Sequence, residues 1–174
     1  MAERRERSRR YRVLGIDPGL VVSGYAAVDF TGGQPAIVEA GTVTTDSEGD
    51  LAARIAQIHA DLSAILGELG PDLAAVEELY GHYKHPRTAI LMGHARGVVL
   101  LACRQAGVDV RNLSATNIKK NLTGNGHASK EQVQRVIQSV CGLSELPEPT
   151  HVADALAIAL CAGRYEGRTR SGVV

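Results

Sequence analysis

Apolar residues recur along the chain in two rhythms, and the switch between them separates strands from helices. Val13 to Asp17 is a short apolar run closed by Pro18-Gly19, which predicts a buried strand ending in a turn. Tyr25 to Phe30 and Ala36 to Thr44 are predicted as the next two strands, joined by a hairpin turn at Thr31-Gly32-Gly33, so the chain opens as an antiparallel meander. Then the spacing changes. Leu51, Ile55, Ile58, Leu62, Ile65 and Leu69 recur at helical intervals, the stripe of an amphipathic helix, and Gly70-Pro71 stops it. Leu73 to Glu77 reads as a strand again.

The second half alternates strand and helix. Thr88 to Ala106 is apolar on nearly every side, with Gly93 and Gly97 one turn apart, so a second helix can approach its backbone closely. That predicts either a central buried helix or a subunit interface. Val108 to Leu113 is a further strand, and Ser114 caps a short helix carrying Lys119 and Lys120. After the Thr123 to Gly126 loop, Ser129 and Gln132 form a capping box for a helix whose buried stripe is Val133, Val136, Ile137 and Val140. Pro147 and Pro149 interrupt the chain, Thr150 is placed to cap, and His151 to Ala162 forms the last long helix. Strands first, then strand and helix in alternation, predict an α/β fold: a mixed five-stranded sheet, antiparallel meander plus parallel strands, flanked by helices.

Length supports one domain. The chain has 174 residues, of which 44% are apolar but only 3% aromatic, so the core is built from Ala, Val, Leu and Ile. The domain is expected to span residues 13–164. Residues 1–12 carry six Arg against two Glu with almost no apolar side chain, and are read as a disordered basic arm that either attracts phosphate or serves as a solubilising tail. Residues 165–174 are read as a basic tail. Cys103, Cys141 and Cys161 are odd in number and lack the close pairing of zinc sites, which suits a reducing compartment. No apolar run approaches the roughly 20 residues that span a bilayer and no signal-peptide pattern is present, so a cytoplasmic protein is expected.

The formal net charge is zero, but its distribution is not even. From Asp29 to Tyr80 ten acidic residues face the single Arg54, and from Gly81 to Lys130 eight Lys or Arg face the single Asp109. Such segregation folds into an acidic and a basic face, and a basic face attracts phosphate even on a neutral molecule. Two solvated helical faces without function are the plainer alternative.

Candidate chemistry sits at the ends of apolar runs. Asp17 closes the first strand and Glu77 the fourth, positions where an ionised carboxylate is costly unless paired, hydrated or bound to a cation. His151 and Asp154 are three apart on one helix face. If the strand ends are neighbours and the last helix crosses them, three carboxylates and an imidazole converge. Hard oxygen ligands with open positions suit Mg²⁺, and two such ions serve an in-line phosphoryl displacement. Singly, Asp17 also reads as a turn former, Glu77 as a solvated strand end and Asp154 as a complement to the helix dipole.

Four segments in register carry a resemblance. Leu14 to Gly19 with Ser23-Gly24-Tyr25, Ala75 to Glu78, Gly93 to Val98, and His151 to Ala159 resemble, in order, the segments of the RuvC family of bacterial Holliday junction resolvases, over roughly residues 12–164. The resemblance implies an RNase H-like fold, a homodimer, and Mg²⁺-dependent endonuclease activity that resolves four-way junction DNA in recombination and repair. Paired symmetric nicks would leave 5′-phosphate and 3′-hydroxyl ends. It implies Asp17, Glu77 and Asp154 as metal-binding acids, with His151 in a fourth position where some members have Asp. Whether His151 binds metal, orients water or transfers a proton is left open, as is Mn²⁺ in place of Mg²⁺.

Further implied residues extend beyond the acids. Lys119 and Lys130 fall where the family places lysines near the cleaved strand, with Lys120 beside them. Tyr80 falls where an aromatic stacks on bases opened at the crossover, and Lys84 and Arg87 would grip the backbone. RuvA and RuvB are partners implied by resemblance alone. Two other classes compete. Actin-like ATPases share the strand ending Gly-Ile-Asp but need a second nucleotide-binding half for which this chain is too short, and a non-catalytic junction-binding protein would carry the site as a relict.

Overall fold

The computed structural model describes residues 10–32, 34–79 and 86–170. Ten elements follow in order: β1 (Tyr11–Asp17), β2 (Val22–Thr31), β3 (Gln34–Thr44), α1 (Leu51–Leu69), β4 (Leu73–Glu77), α2 (Pro86–Gln105), β5 (Val110–Leu113), α3 (Ala115–Thr123), α4 (Lys130–Cys141) and α5 (Thr150–Arg170). The five strands form one sheet of order β3-β2-β1-β4-β5. β1, β2 and β3 pair antiparallel, whereas β4 runs parallel to β1 and β5 parallel to β4. This is the expected mixed sheet.

Both faces are covered, which is why Val13, Leu14 and Ile16 on central β1 are all fully buried. On one face Leu14, Ile16, Ala74 and Val76 meet Ile58, Leu62 and Leu66 of α1 and Ala95, Val99 and Ala102 of α2. On the other, Val13, Ala26, Val28 and Ala75 meet α3, α4 and the alanine-rich face of α5. Here the helix lies against bare backbone. A Cβ on Gly15 would stand 2.2 Å from Ala155 O, and one on Gly24 would stand 2.0 Å from His151 O.

The predicted caps form. Ser114 accepts from Asn117 N, both halves of the Ser129–Gln132 box are present, and Gly70 ends α1 in the left-handed region at φ 53°. Several boundaries differ from expectation. β1 begins at Tyr11, inside the expected arm, because Arg12 bonds Asp29 through Nε at 2.7 Å and Nη2 at 3.0 Å and Leu69 O through Nη1 at 2.7 Å. β2 starts at Val22 and β3 at Gln34. α2 starts at Pro86, whose fixed φ and missing N–H suit a first helical position. β5 starts at Val110, since Val108 N still bonds Cys103 O at 3.0 Å in the closing turn of α2.

Three further expectations are corrected. Thr150 is the first residue of α5 rather than its cap, and Pro149 O takes the N–H groups of Val152 and Ala153. α5 does not end at Ala162, nor at the expected domain bound of 164, but continues to Arg170, and Arg111 reaches Glu166 in this extension from β5. α2 is not a central buried helix: Ile90 is 63% and Leu101 50% exposed on its outer side, which leaves the subunit-interface alternative. Residues 1–9, Gly33 of the hairpin turn and residues 171–174 lie outside the described residues.

Candidate active site

Each strand that ends in an acid ends at the same edge of the sheet. Ile16 and Val76 are register partners on parallel strands, so Asp17 and Glu77 follow side by side. On the other flank Asp17 pairs with Gly24 of β2. Because Gly24 has no side chain, the first turn of α5 settles onto it and brings His151 over the strand end. His151 Nδ1 then lies 2.9 Å from Asp17 Oδ2, a contact between residues 134 positions apart. One turn on, Asp154 Oδ2 accepts from Lys130 Nζ at 3.0 Å, the lysine reaching across from the first turn of α4.

The carboxylates are set against one another. Glu77 is pushed up from 4.5 to about 7, first by burial and then by the charges of Asp17 and Asp154, with Lys130 and Lys119 acting in the opposite sense. Asp17 is also raised, chiefly by burial, although the hydrogen bond from His151 opposes the shift. With the charge of Asp154 raising both Asp17 and Glu77, the site is short of positive charge. Among the described residues, no three His, Cys, Asp or Glu side chains are gathered closely enough, as they stand here, to hold a metal ion. Instead Lys130 and His151 each engage one carboxylate. The donor set nonetheless suits a hard cation, because it offers oxygen ligands whose charge the protein leaves partly uncompensated.

Of the residues singled out from the sequence, Asp17, Glu77, His151, Asp154 and Lys130 converge here, and Lys119 is near enough for its charge to act on Glu77. Lys120 is exposed on α3 and Arg87 is exposed in the first turn of α2, and neither is recorded in contact with the cluster. Tyr80 and Lys84 lie outside the described residues. Beside the Lys130–Asp154 pair a cleft of about 140 Å³ opens between Val133, Gln134, Glu148 and Thr150. The larger cavity, about 610 Å³, lies between the C-terminal ends of α1 and α2 and has no titratable lining residue, so cavity size does not mark the chemistry.

Sequence reasoning missed Gly15 and Gly24 as residues that seat α5, although glycine inside a strand is the signal for a close backbone approach. It also missed Arg96. Its Nε donates to Glu77 O at 3.0 Å and its Nη2 to Asn112 Oδ1 at 2.5 Å, fastening the end of β4 to β5.

A mixed sheet of this order, with acids at the ends of its first and fourth strands and a helix crossing them, is an RNase H-like fold. The family model for crossover junction endodeoxyribonuclease RuvC matches residues 13–162, and the chain belongs to that family. A crossover junction endodeoxyribonuclease RuvC of Rhodopirellula baltica is 46% identical over 153 residues, which cover 88% of this chain and 85% of that relative. The structure of Thermus thermophilus RuvC in complex with a Holliday junction substrate superposes with a TM-score of 0.86 at 36% identity, covering 94% of this chain and 97% of that one. The yeast mitochondrial Holliday junction resolvase Ydc2, at 16% identity and a TM-score of 0.68, shares the fold.

Proposed function

We propose that this protein is a metal-dependent endonuclease that resolves four-way DNA junctions by paired symmetric nicks, leaving 5′-phosphate and 3′-hydroxyl ends. The observation that carries the reading is the convergence of Asp17, Glu77 and Asp154 at one sheet edge, with Glu77 raised to about 7. Perturbed acids gathered at strand ends suit ion binding better than structural pairing. Asp17, Glu77 and Asp154 would hold Mg²⁺, two ions per site, with Mn²⁺ an alternative. Bound there, the ions would supply Lewis-acid stabilisation of the attacking and leaving oxygens.

The remaining steps belong to side chains. With Nδ1 of His151 turned to Asp17, Nε2 is the nitrogen available to the site. If Nδ1 carries the proton donated to the carboxylate, Nε2 presents a lone pair and can take a proton from an attacking water. Lys130 and Lys119 are the cations of the site. Lys130, whose flexible stem now carries its ammonium to Asp154, would also serve a phosphate oxygen, where a point charge stabilises developing negative charge.

The substrate requires two such sites, and a twofold homodimer supplies one for each of two opposed strands. The exposed apolar flank of α2 supports that helix as the dimer face, and among the described residues nothing beyond its own backbone and chain neighbours lies within 4 Å of a Cβ built on Gly93 or Gly97. Tyr80, Lys84, Arg87 and Lys120 would engage the DNA around the crossover, and RuvA and RuvB would be the partners that move the junction. Among the described residues no helix is long and apolar enough to cross a membrane, and the free thiols of Cys103, Cys141 and Cys161 suit the cytoplasm.

The test is Asp17→Asn on a synthetic four-way junction with Mg²⁺. Binding retained with cleavage lost supports the reading. A wild-type protein that leaves junctions of varied sequence uncut, or an Asp17→Asn protein that cuts as before, overturns it in favour of a junction-binding protein with a relict site.

A further inference from the structure

Two arginines, Arg54 and Arg96, stand behind the strand ends, each bonded to a hydroxyl or a main-chain oxygen there. After Asp17 the chain turns through Pro18 to Val21 before β2 begins, and the polar groups of this turn are tied down. Ser23 Oγ, itself buried, donates to Gly19 O at 2.7 Å and accepts from Gly19 N at 3.1 Å. Thr45 Oγ1 donates to Leu20 O at 2.6 Å, and Thr45 N donates to Val21 O at 2.9 Å. The Thr45 hydroxyl accepts in turn from Arg54 Nε at 3.2 Å. Charge-assisted donation of this kind polarises the hydroxyl and strengthens its own bond to the turn. Arg54 Nη2 is buried without a hydrogen-bond partner among the described residues, a costly arrangement for a side chain of no consequence.

The second arginine acts on the neighbouring strand. Arg96 reaches from α2 to the main-chain oxygen of Glu77 and, with the other arm of its fork, to Asn112 on β5. The charges that act most on Asp17 include those of Asp154, His151 and Lys130, and those acting most on Glu77 include Asp17, Asp154, Lys130 and Lys119. Among the described residues neither arginine forms an ion pair with Asp17 or Glu77, and each reaches its strand end through a hydroxyl or a main-chain oxygen.

We propose that Arg54, through Thr45 and the Pro18 to Val21 turn, and Arg96, through the Glu77 carbonyl, are positioning residues that set the spacing of the Asp17 and Glu77 carboxylates for metal binding. A carboxylate held on a pinned backbone presents one separation to an ion, whereas a frayed strand end presents many, and the affinity falls with the fraction of time the right one is present. The proposal rests on the assignment of Asp17 and Glu77 as metal ligands made above.

Mn²⁺ binding to the full-length protein without DNA, read by calorimetry or electron paramagnetic resonance, tests it independently of cleavage. Thr45→Val, Arg54→Met and Arg96→Met should each weaken Mn²⁺ binding on the order of tenfold, the lower end of the range for supports of metal ligands. They should raise the half-saturating Mg²⁺ for cleavage by a similar factor and leave junction affinity in Ca²⁺ unchanged. Thr45→Ser, which restores the hydroxyl, should recover wild-type binding even if Thr45→Val is poorly folded. Arg96→Lys, which keeps charge but not the fork, should behave as Arg96→Met. Unchanged Mn²⁺ affinity in well-folded variants overturns the proposal, as does weakened junction binding that accounts for the lost activity. If the wild-type chain itself binds Mn²⁺ no better than Asp17→Asn does, the metal site of the preceding section fails and this inference with it.

Discussion

The two ends of the central sheet treat carboxylates in opposite ways. At the end where the chain enters β1, Asp29 on β2 is held below its ordinary 3.8, chiefly by the hydrogen bond from Arg12, whose charge and that of Arg10 act in the same sense. At the other end, where β1 and the neighbouring β4 close, Asp17 and Glu77 are raised, and the charge of the further acid Asp154 pushes both in that direction. One end spends its electrostatics on holding two strands together. The other keeps like charges close, which costs stability and leaves a place for a cation. A carboxylate that serves the fold is paired by the fold, and one that is left wanting is a candidate for chemistry.

The largest effect expected from breaking this contrast is at the upper end. Glu77→Gln removes a charged oxygen ligand but keeps the volume, so cleavage of a four-way junction should fall below detection while urea unfolding shows a fold at least as stable as wild type. Turnover at the wild-type rate would remove Glu77 from the site. At the lower end, Arg12→Met leaves Asp29 without its main partner and Leu69 O without a donor. Unfolding free energy should fall by about 2 kcal/mol, less than for a fully buried pair because both side chains retain some exposure, with the Mg²⁺ dependence of cleavage unchanged. A change in that dependence instead would mean the two ends are coupled.

The dependence of stability on pH should carry both signs. Glu77 has a folded-state value raised to about 7 from 4.5, so its neutral form favours folding below 4.5 and that contribution is lost as pH rises through 7. Asp29, lowered from 3.8, contributes stability above 3.8 that is lost as pH falls through its lower folded value. Without metal, the protein should therefore weaken between pH 4.5 and 7, and separately in strong acid. Glu77→Gln should flatten the first slope and Arg12→Met the second, as read by thermal melts in buffers of constant ionic strength. A wild-type profile level between pH 4.5 and 7 would contradict the raised Glu77.

Much of this was legible in the residues themselves, because secondary structure is written in local spacing. The Leu and Ile interval of α1, the Ser129–Gln132 box and the apolar runs ending at Asp17 and Glu77 each involve neighbours a few positions apart, and each formed as read. The strand ends also announced their acids, since an ionisable group that closes an apolar run asks for a partner. Arg12 was misread for a related reason. A charged residue beside a run of arginines carries no local sign that its partner waits on another strand.

Tertiary structure alone decided where these acids meet and what they become. The approach of His151 to Asp17 spans 134 positions and depends on parallel β1 and β4 lying adjacent, on the crossover of α5, and on the empty space above Gly24. Glycine positions leave no hydrophobic rhythm to read, and a protonation shift arises only when burial and neighbouring charge act on the same group. The sequence by itself determined which elements form and which side chains end them. Packing determined that three of those ends share one place, because proximity between distant residues is a property of the folded core and not of spacing along the chain.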